Sequence, residues 1–116
     1  MTSAEYSMFL SAALRTENLT HSLFDVLTAV ALDTEARGYS TIPAIHLKLG
    51  CTFNNIQLHL FRNADLFVQV PDHHPRRFEL SQAGVQLLAR IKTAVNRRAA
   101  MMDHEERSER ITTANP

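Results

Sequence analysis

A chain of 116 residues with 45% hydrophobic content suits one compact domain with little core to spare. Three glycines and four prolines exclude a fibrous repeat, the single Cys51 excludes an intrachain disulfide, and no apolar run approaches the roughly 20 residues needed to cross a bilayer. Formal net charge is zero, with 12 basic and 12 acidic residues, which by itself counts against a nucleic-acid partner; the distribution along the chain matters more.

The N-terminal 15 residues lack the basic start and long apolar core of a secretion signal, so a cytoplasmic protein without membrane association is expected. Residues 3–14 have helical spacing, with Tyr6, Phe9, Leu10 and Ala13 on one side. They predict a short arm helix that packs on a partner. A break at 16–19 precedes Thr20, a plausible N-cap for a helix running to about Arg37 with Leu23, Phe24, Leu27, Val30 and Ala31 as its apolar face. Gly38 suits the left-handed end of that helix. Residues 39–41 are long enough to pair with a ribbon edge, and Thr41 can cap the next helix, with Pro43 in its first turn. Ile42, Ile45 and Leu49 give that helix a buried stripe. Gly50 ends it, Cys51 sits in a turn, and Thr52 caps a helix ending near Asn63, with Ile56, Leu60 and Phe61 facing inward. Two helices this short must share a core with the long helix before them.

Residues 66–70 read as a strand, Pro71, Asp72 and Pro75 bound a turn, and residues 77–80 return as a second strand. Ser81 caps a long helix whose stripe is Val85, Leu88, Ile91 and Val95, with Gly84 in its first turn allowing close packing. The expected organisation is an arm helix at 1–19, a core at 20–84, a C-terminal dimerisation helix at 85–102 and a polar tail at 103–116, its last six residues disordered. The fold class is mainly α with a small β ribbon, a winged helix-turn-helix.

Charge follows this layout. Residues 1–37 carry a net −3 and residues 101–116 a net −2, while residues 38–100 carry a net +5 from Lys48, Arg62, Arg76, Arg77, Arg90, Lys92, Arg97 and Arg98. If Ile56 and Leu60 point inward, the other side of their helix carries Asn54, Asn55, Gln57, His59 and, in part, Arg62. Asn and Gln pair bidentately with adenine edges, and Arg reaches guanine. Thr52 opens this helix, and its neighbour Phe53, like Leu58, can touch a thymine methyl or fill the scaffold. The wing tip carries His73, His74, Arg76 and Arg77, suited to phosphates or a minor groove. Lys48 is a further basic contact of lower specificity. Tyr6, Phe9 and Leu10 at one end, and Leu88, Ile91 and Val95 at the other, are the expected dimer interface.

The run Ile42-Pro-Ala-Ile-His-Leu-Lys-Leu-Gly50 followed by Thr52-Phe-Asn-Asn-Ile-Gln-Leu-His-Leu60 resembles the helix-turn-helix of MarR-type winged-helix regulators. Arg77-Phe-Glu-Leu-Ser-Gln-Ala-Gly84 is similar to that family's exit from the wing into a helix. The resemblance covers roughly residues 20–95 and implies a homodimeric transcriptional regulator on a near-palindromic operator, with Asn54, Asn55 and His59 on the recognition helix and Arg76 and Arg77 on the wing. This helix departs from the family in carrying only one arginine, Arg62.

Chemistry of other kinds finds no constellation. Adjacent His73 and His74 beside Asp72 do not build a tetrahedral cage, Cys51 has no basic neighbour to hold a thiolate, and Gly50 and Gly84 form no phosphate loop. No metal, cofactor or enzymatic activity is expected, and no effector can be named. Double-stranded DNA and a second copy of the chain are the expected partners. The alternatives are a winged-helix protein-interaction module and a plasmid or phage architectural or partition-type DNA binder.

Overall fold

The computed structural model describes residues 1–114, with side chains described through residue 108. Five helices and one hairpin follow in the order α1 (Ser3–Thr16), α2 (His21–Arg37), α3 (Ile42–Leu49), α4 (Phe53–Arg62), β1 (Phe67–Val70), β2 (Arg77–Leu80) and α5 (Gln82–Ala114). The expected fold class, mainly α with a small β ribbon, is the one observed. The chain forms two compact units, one of residues 19–89 and one of residues 1–18 with the chain from Arg90 onward.

In the first unit, hydroxyl caps set where each helix begins. Thr20, Thr41 and Thr52 each accept, at Oγ1, the backbone N–H three residues on, from Leu23 (3.1 Å), Ala44 (3.3 Å) and Asn55 (3.2 Å). Each bond satisfies a donor that the first helical turn leaves without a partner. Left-handed glycines close α2 and α3, Gly38 at φ 89° and Gly50 at φ 71°, where a Cβ would be strained. Leu23, Val26, Leu27 and Val30 of α2 are buried with Ile45 of α3, Ile56 and Leu60 of α4, Leu66, Phe67 and Phe78 of the hairpin and Leu87 of α5.

The hairpin pairs Phe67 with Leu80, Val68 with Glu79, Gln69 with Phe78 and Val70 with Arg77. Ser40 joins the free edge of β2 through two 2.8 Å backbone bonds with Phe78, which is the edge pairing expected for residues 39–41. Ser81 ties the start of α5 to the hairpin: its N–H donates to Leu66 O (2.9 Å), its hydroxyl to Asp65 O (2.6 Å), and its Oγ accepts from Gly84 N–H (3.1 Å). A Cβ built on Gly84 would collide with Leu66 O, so the close packing expected there is present.

Several side chains sit differently from expectation. Phe61 is 46% exposed, because the inward stripe of α4 is Ile56 and Leu60 and the next residue turns about 100° away. Asp33, which the apolar face of α2 had left aside, is 3% exposed on the same stripe as Val26 and Val30. The inward stripe of α5 is Leu87, Ile91 and Val95, while Val85 is 55% exposed. Val85 and the half-buried Leu88 line an apolar groove with Thr28, Ala31 and Leu32 of α2.

In the second unit, Phe9, Ala13 and Leu14 of α1 are buried, as are Ile91 and Val95 of α5. The helices run antiparallel: Glu17 binds Arg90 through two bonds of 2.9 and 3.3 Å, and Met1 and Glu5 share a groove with Ala99, Ala100 and Met102. The Glu17 carboxylate raises the pKa of the Arg90 guanidinium by hydrogen bonding to its charged form. Three of the expected dimer residues, Phe9, Ile91 and Val95, are thus buried within the protomer, where α1 and the α5 stripe run side by side. Tyr6 (46% exposed), Leu10 and Leu88 keep accessible surface, and Met8, Met101 and Met102 are exposed as well. α5 is one helix across 82–114, through the segment read as a dimerisation helix and a tail. Residues 115 and 116 of that tail lie outside the described residues, as do the side chains of 109–114.

Candidate nucleic-acid interface

The interface is built on α4. Burying Ile56 (0% exposed) and Leu60 (2%) leaves Asn54, Asn55, Gln57 and Arg62 exposed on the remaining surface, with His59 and Asn63 half-buried. Asn63 donates from Nδ2 to His59 O (2.9 Å), closing the helix end that sequence placed at this residue. Thr52, expected to touch a ligand, spends its hydroxyl lone pair on the Asn55 N–H as the N-cap.

The turn before α4 is braced by side chains. His46 Nδ1 lies 2.6 Å from Cys51 O, and the His46 ring meets Phe53 edge-on with centroids 4.8 Å apart. Phe53 keeps 52% exposure at the first position of α4. Cys51 is half-buried, its Sγ 4.0 Å from Leu49 O.

The wing folds back toward this helix. Asp72 takes a positive φ of 65° in the turn, and His73, His74, Pro75 and Arg76 are exposed. The Arg76 guanidinium lies 5.8 Å from the ring centroid of Phe61, at the last turn of α4. A groove of about 290 Å³ is lined by Ile42 and Pro43 of α3, Phe53 and Gln57 of α4, and His74, Pro75 and Arg76 of the wing. The structure therefore brings the expected helix residue Gln57 and the expected wing residues His74 and Arg76 to one surface.

Two expected basic contacts are engaged elsewhere. Arg77 stacks its guanidinium 3.9 Å from the Tyr39 centroid, and Arg37 approaches the same ring at 5.4 Å. Lys48 donates from Nζ to Asp33 Oδ1, so it braces α3 against α2 and is not a free surface cation. Asp33 also accepts from the Ser40 hydroxyl (2.7 Å) and faces Arg37 Nη2 at 3.6 Å. Burial raises the Asp33 pKa, but the hydrogen bonds from Lys48 and Ser40 and the charges of Lys48 and Arg37 outweigh it, and the net shift is downward. This cluster fixes α3, the start of the wing-edge bridge and α2 to one carboxylate. Its signal in the sequence is an acidic residue three positions after Val30 on the buried stripe of an otherwise apolar helix.

Among the described residues, no group of three or more His, Cys, Asp or Glu side chains is placed to hold a metal ion. No described helix is long and apolar enough to cross a membrane.

No protein-family model matches the sequence, and no curated protein is similar to it. Solved structures do share its fold. A MepR mutant from S. aureus bound to an oligodeoxyribonucleotide superposes with a TM-score of 0.76 at 15% identity, covering 97% of this chain and 86% of that one. The transcriptional regulator Tm0710 from Thermotoga maritima gives 0.70 at 16% identity, over 94% and 80% of the two chains. A MarR family protein from Bacillus stearothermophilus gives 0.68 at 17% identity, over 96% and 82%. The likeness read from residues 42–60 and 77–84 is borne out as a likeness of fold: the chain has the winged helix-turn-helix fold seen in MarR-family structures.

Proposed function

We propose that this chain is a sequence-specific double-stranded DNA-binding transcriptional regulator that acts as a homodimer on a near-palindromic operator. The observation that carries the proposal is the convergence of the exposed polar face of α4 with Arg76 and His74 of the wing over one groove. In helix-turn-helix proteins the second helix enters the major groove with its N-terminal residues at the base edges. Here those residues are Asn54, Asn55 and Gln57, whose amides suit adenine. Arg62 and Arg76 are placed for phosphates, and Arg77 joins them by turning from its Tyr39 platform. His59 is half-buried and serves the edge of the surface; His73 and His74 form the wing tip. Thr52 and Lys48 support the surface as cap and brace. The MepR structure bound to an oligodeoxyribonucleotide lends this reading support.

The dimer part of the proposal rests on exposed apolar residues, Tyr6 and Met8 of α1 and Met101 and Met102 of α5, and on the half-buried Leu10 and Leu88. Pairing across a two-fold axis sets two reading helices about one turn of DNA apart, roughly 34 Å. A cytoplasmic place of action accompanies this role.

The test is selection of bound duplexes from random and genomic DNA with the full chain, followed by sedimentation of free and bound protein. Enrichment of one near-palindromic sequence by a dimer is expected. Absence of duplex binding at low salt overturns the proposal. A second reading, a winged-helix protein-interaction module, is favoured by the 86% exposure of Leu47 and by the even overall charge. A stoichiometric protein partner that co-purifies without DNA would support it. Binding without sequence preference would indicate the architectural or partition-type role.

A further inference from the structure

We propose that Leu58 determines specificity by packing on a thymine C5-methyl group, which makes α4 a reader of A·T pairs. The inference rests on the DNA-reading role proposed above and deepens it.

Ile56 and Leu60 are the buried residues of α4, and Leu58 lies two positions from each. At about 100° per residue it points about 200° away from Ile56, the most outward direction on the helix. Leu58 is partly covered by its own helix neighbours but keeps 38% of its surface exposed, apolar area on an otherwise polar face. Its neighbours on the same face are Asn54 one turn before and Arg62 one turn after, with Asn55 and Gln57 alongside, all exposed. Phe61 stands beside it, with the Arg76 guanidinium over its ring.

The chemistry of that face matches one kind of base pair. Asn and Gln take adenine N6 and N7 in the major groove, and an apolar group takes the thymine methyl; guanine calls for Arg or Lys. The apex offers a leucine between amides and holds its sole arginine, Arg62, at the C-terminal end of the helix. The N-terminal turns meet base edges first, so the pairs at the centre of each half-site are A·T.

The experiment takes the duplex enriched by the full chain and replaces each half-site thymine, one at a time, with deoxyuridine, which removes only the methyl. For the wild type, one position per half-site is expected to weaken binding about fourfold, the effect of exposing one methyl. Leu58→Ala, checked for an unchanged fold by circular dichroism, loses the contact in both half-sites and should bind the thymine duplex about sixteenfold more weakly. It should then be indifferent to deoxyuridine at that position. Half-sites rich in G·C, or wild-type affinity unchanged by every deoxyuridine, overturn the assignment while leaving the regulator reading intact. A Leu58→Ala variant that keeps the thymine preference also overturns it, and moves the methyl contact to Phe53. Loss of Leu58→Ala binding to a protein partner, with duplex affinity unchanged, would show that the leucine faces a protein. If the wild type enriches no duplex at all, the regulator reading itself has failed.

Discussion

Replacing Asp33 with alanine removes the acceptor that ties α2 to Ser40 and to Lys48 of α3. The Ser40 hydroxyl, in a residue with 0% exposure, loses its hydrogen bond to Asp33, and Lys48 Nζ loses its carboxylate. A hydrogen bond to a charged group contributes about 1.5–3 kcal/mol, and breaking a fully buried pair costs about 3–5 kcal/mol. The partners here are not fully buried: the side chains of Lys48 and Arg37 are 41% and 44% exposed, so both cations recover water. Solvent screening and alanine's better helix propensity, worth about 0.5 kcal/mol, reduce the loss to about 2–3 kcal/mol. Asp33→Asn keeps an acceptor for Ser40 and should lose about half as much. Equilibrium urea unfolding followed by far-UV circular dichroism measures both, with an unchanged m value as the check that only stability moved. An Asp33→Ala loss below about 0.5 kcal/mol would refute the account, because it matches an ordinary surface substitution.

The same carboxylate gives a pH signature. Its pKa in the folded chain is lowered, so between the folded and unfolded values the unfolded chain binds the extra proton. The contribution of Asp33 is therefore fully present above about pH 4 and is lost as pH falls through the folded value. The wild type should lose stability over that acid window more steeply than Asp33→Asn.

Four further outcomes follow from other contacts. Gly84→Ala, a change that favours a helix by about 1 kcal/mol in open space, should instead destabilise by about 1–3 kcal/mol in a thermal melt, since its Cβ meets the Leu66 carbonyl. Thr20→Ala should cost about 1 kcal/mol in the same assay by removing the cap on Leu23 N–H. Asn55→Ala should reduce the preference for the selected duplex over unrelated DNA by about 1–3 kcal/mol per half-site in competition binding. Arg76→Ala, which removes one contact from each protomer, should weaken both duplexes by similar factors and lower the salt slope by about two units.

Most boundaries of the fold were legible because they are chemical punctuation. Thr20, Thr41, Thr52, Gly38 and Gly50 mark helix ends in the sequence, and each caps or closes the helix expected of it. Residue types around Pro71 and Pro75 likewise announced the hairpin. Side-chain fates were less legible, because they depend on which neighbouring element arrives. Periodicity gave α5 the stripe Val85, Leu88, Ile91 and Val95; the observed stripe passes through Leu87, and Val85 faces outward. The choice between them is made where Gly84 packs against Leu66 O. Lys48 read as a surface cation because its partner, Asp33, lies 15 residues away in sequence. Arg77 read as a free wing arginine because the Tyr39 ring reaches it only once Ser40 pairs with β2.

The division into units changes the electrostatic argument. Residues 38–100 have a surplus of positive charge, but Arg90, Lys92, Arg97 and Arg98 belong to the other unit. The unit of residues 19–89 carries Arg37, Lys48, Arg62, Arg76 and Arg77 against Asp25, Asp33, Glu35, Asp65, Asp72 and Glu79, a net of −1. Of its cations, Arg37 and Lys48 serve Asp33, so the proposed phosphate contacts fall to Arg62, Arg76 and, once released from the Tyr39 ring, Arg77. If the proposed dimer makes three such contacts per protomer, it would release counterions from about six phosphates, and log K would fall with log salt at a slope of about −5. Such a slope costs about three decades of affinity between about 50 and 200 mM salt. On the proposed reading, discrimination would rest on the amides of α4 and the apolar side chains between them, so specific binding should persist at salt that abolishes non-specific binding. Titration of affinity against salt on selected and unrelated duplexes measures both slopes. A slope steeper than about −8 on the selected duplex would show that cations beyond these three contact the phosphates, and the sorting of charges drawn from the structure would fail.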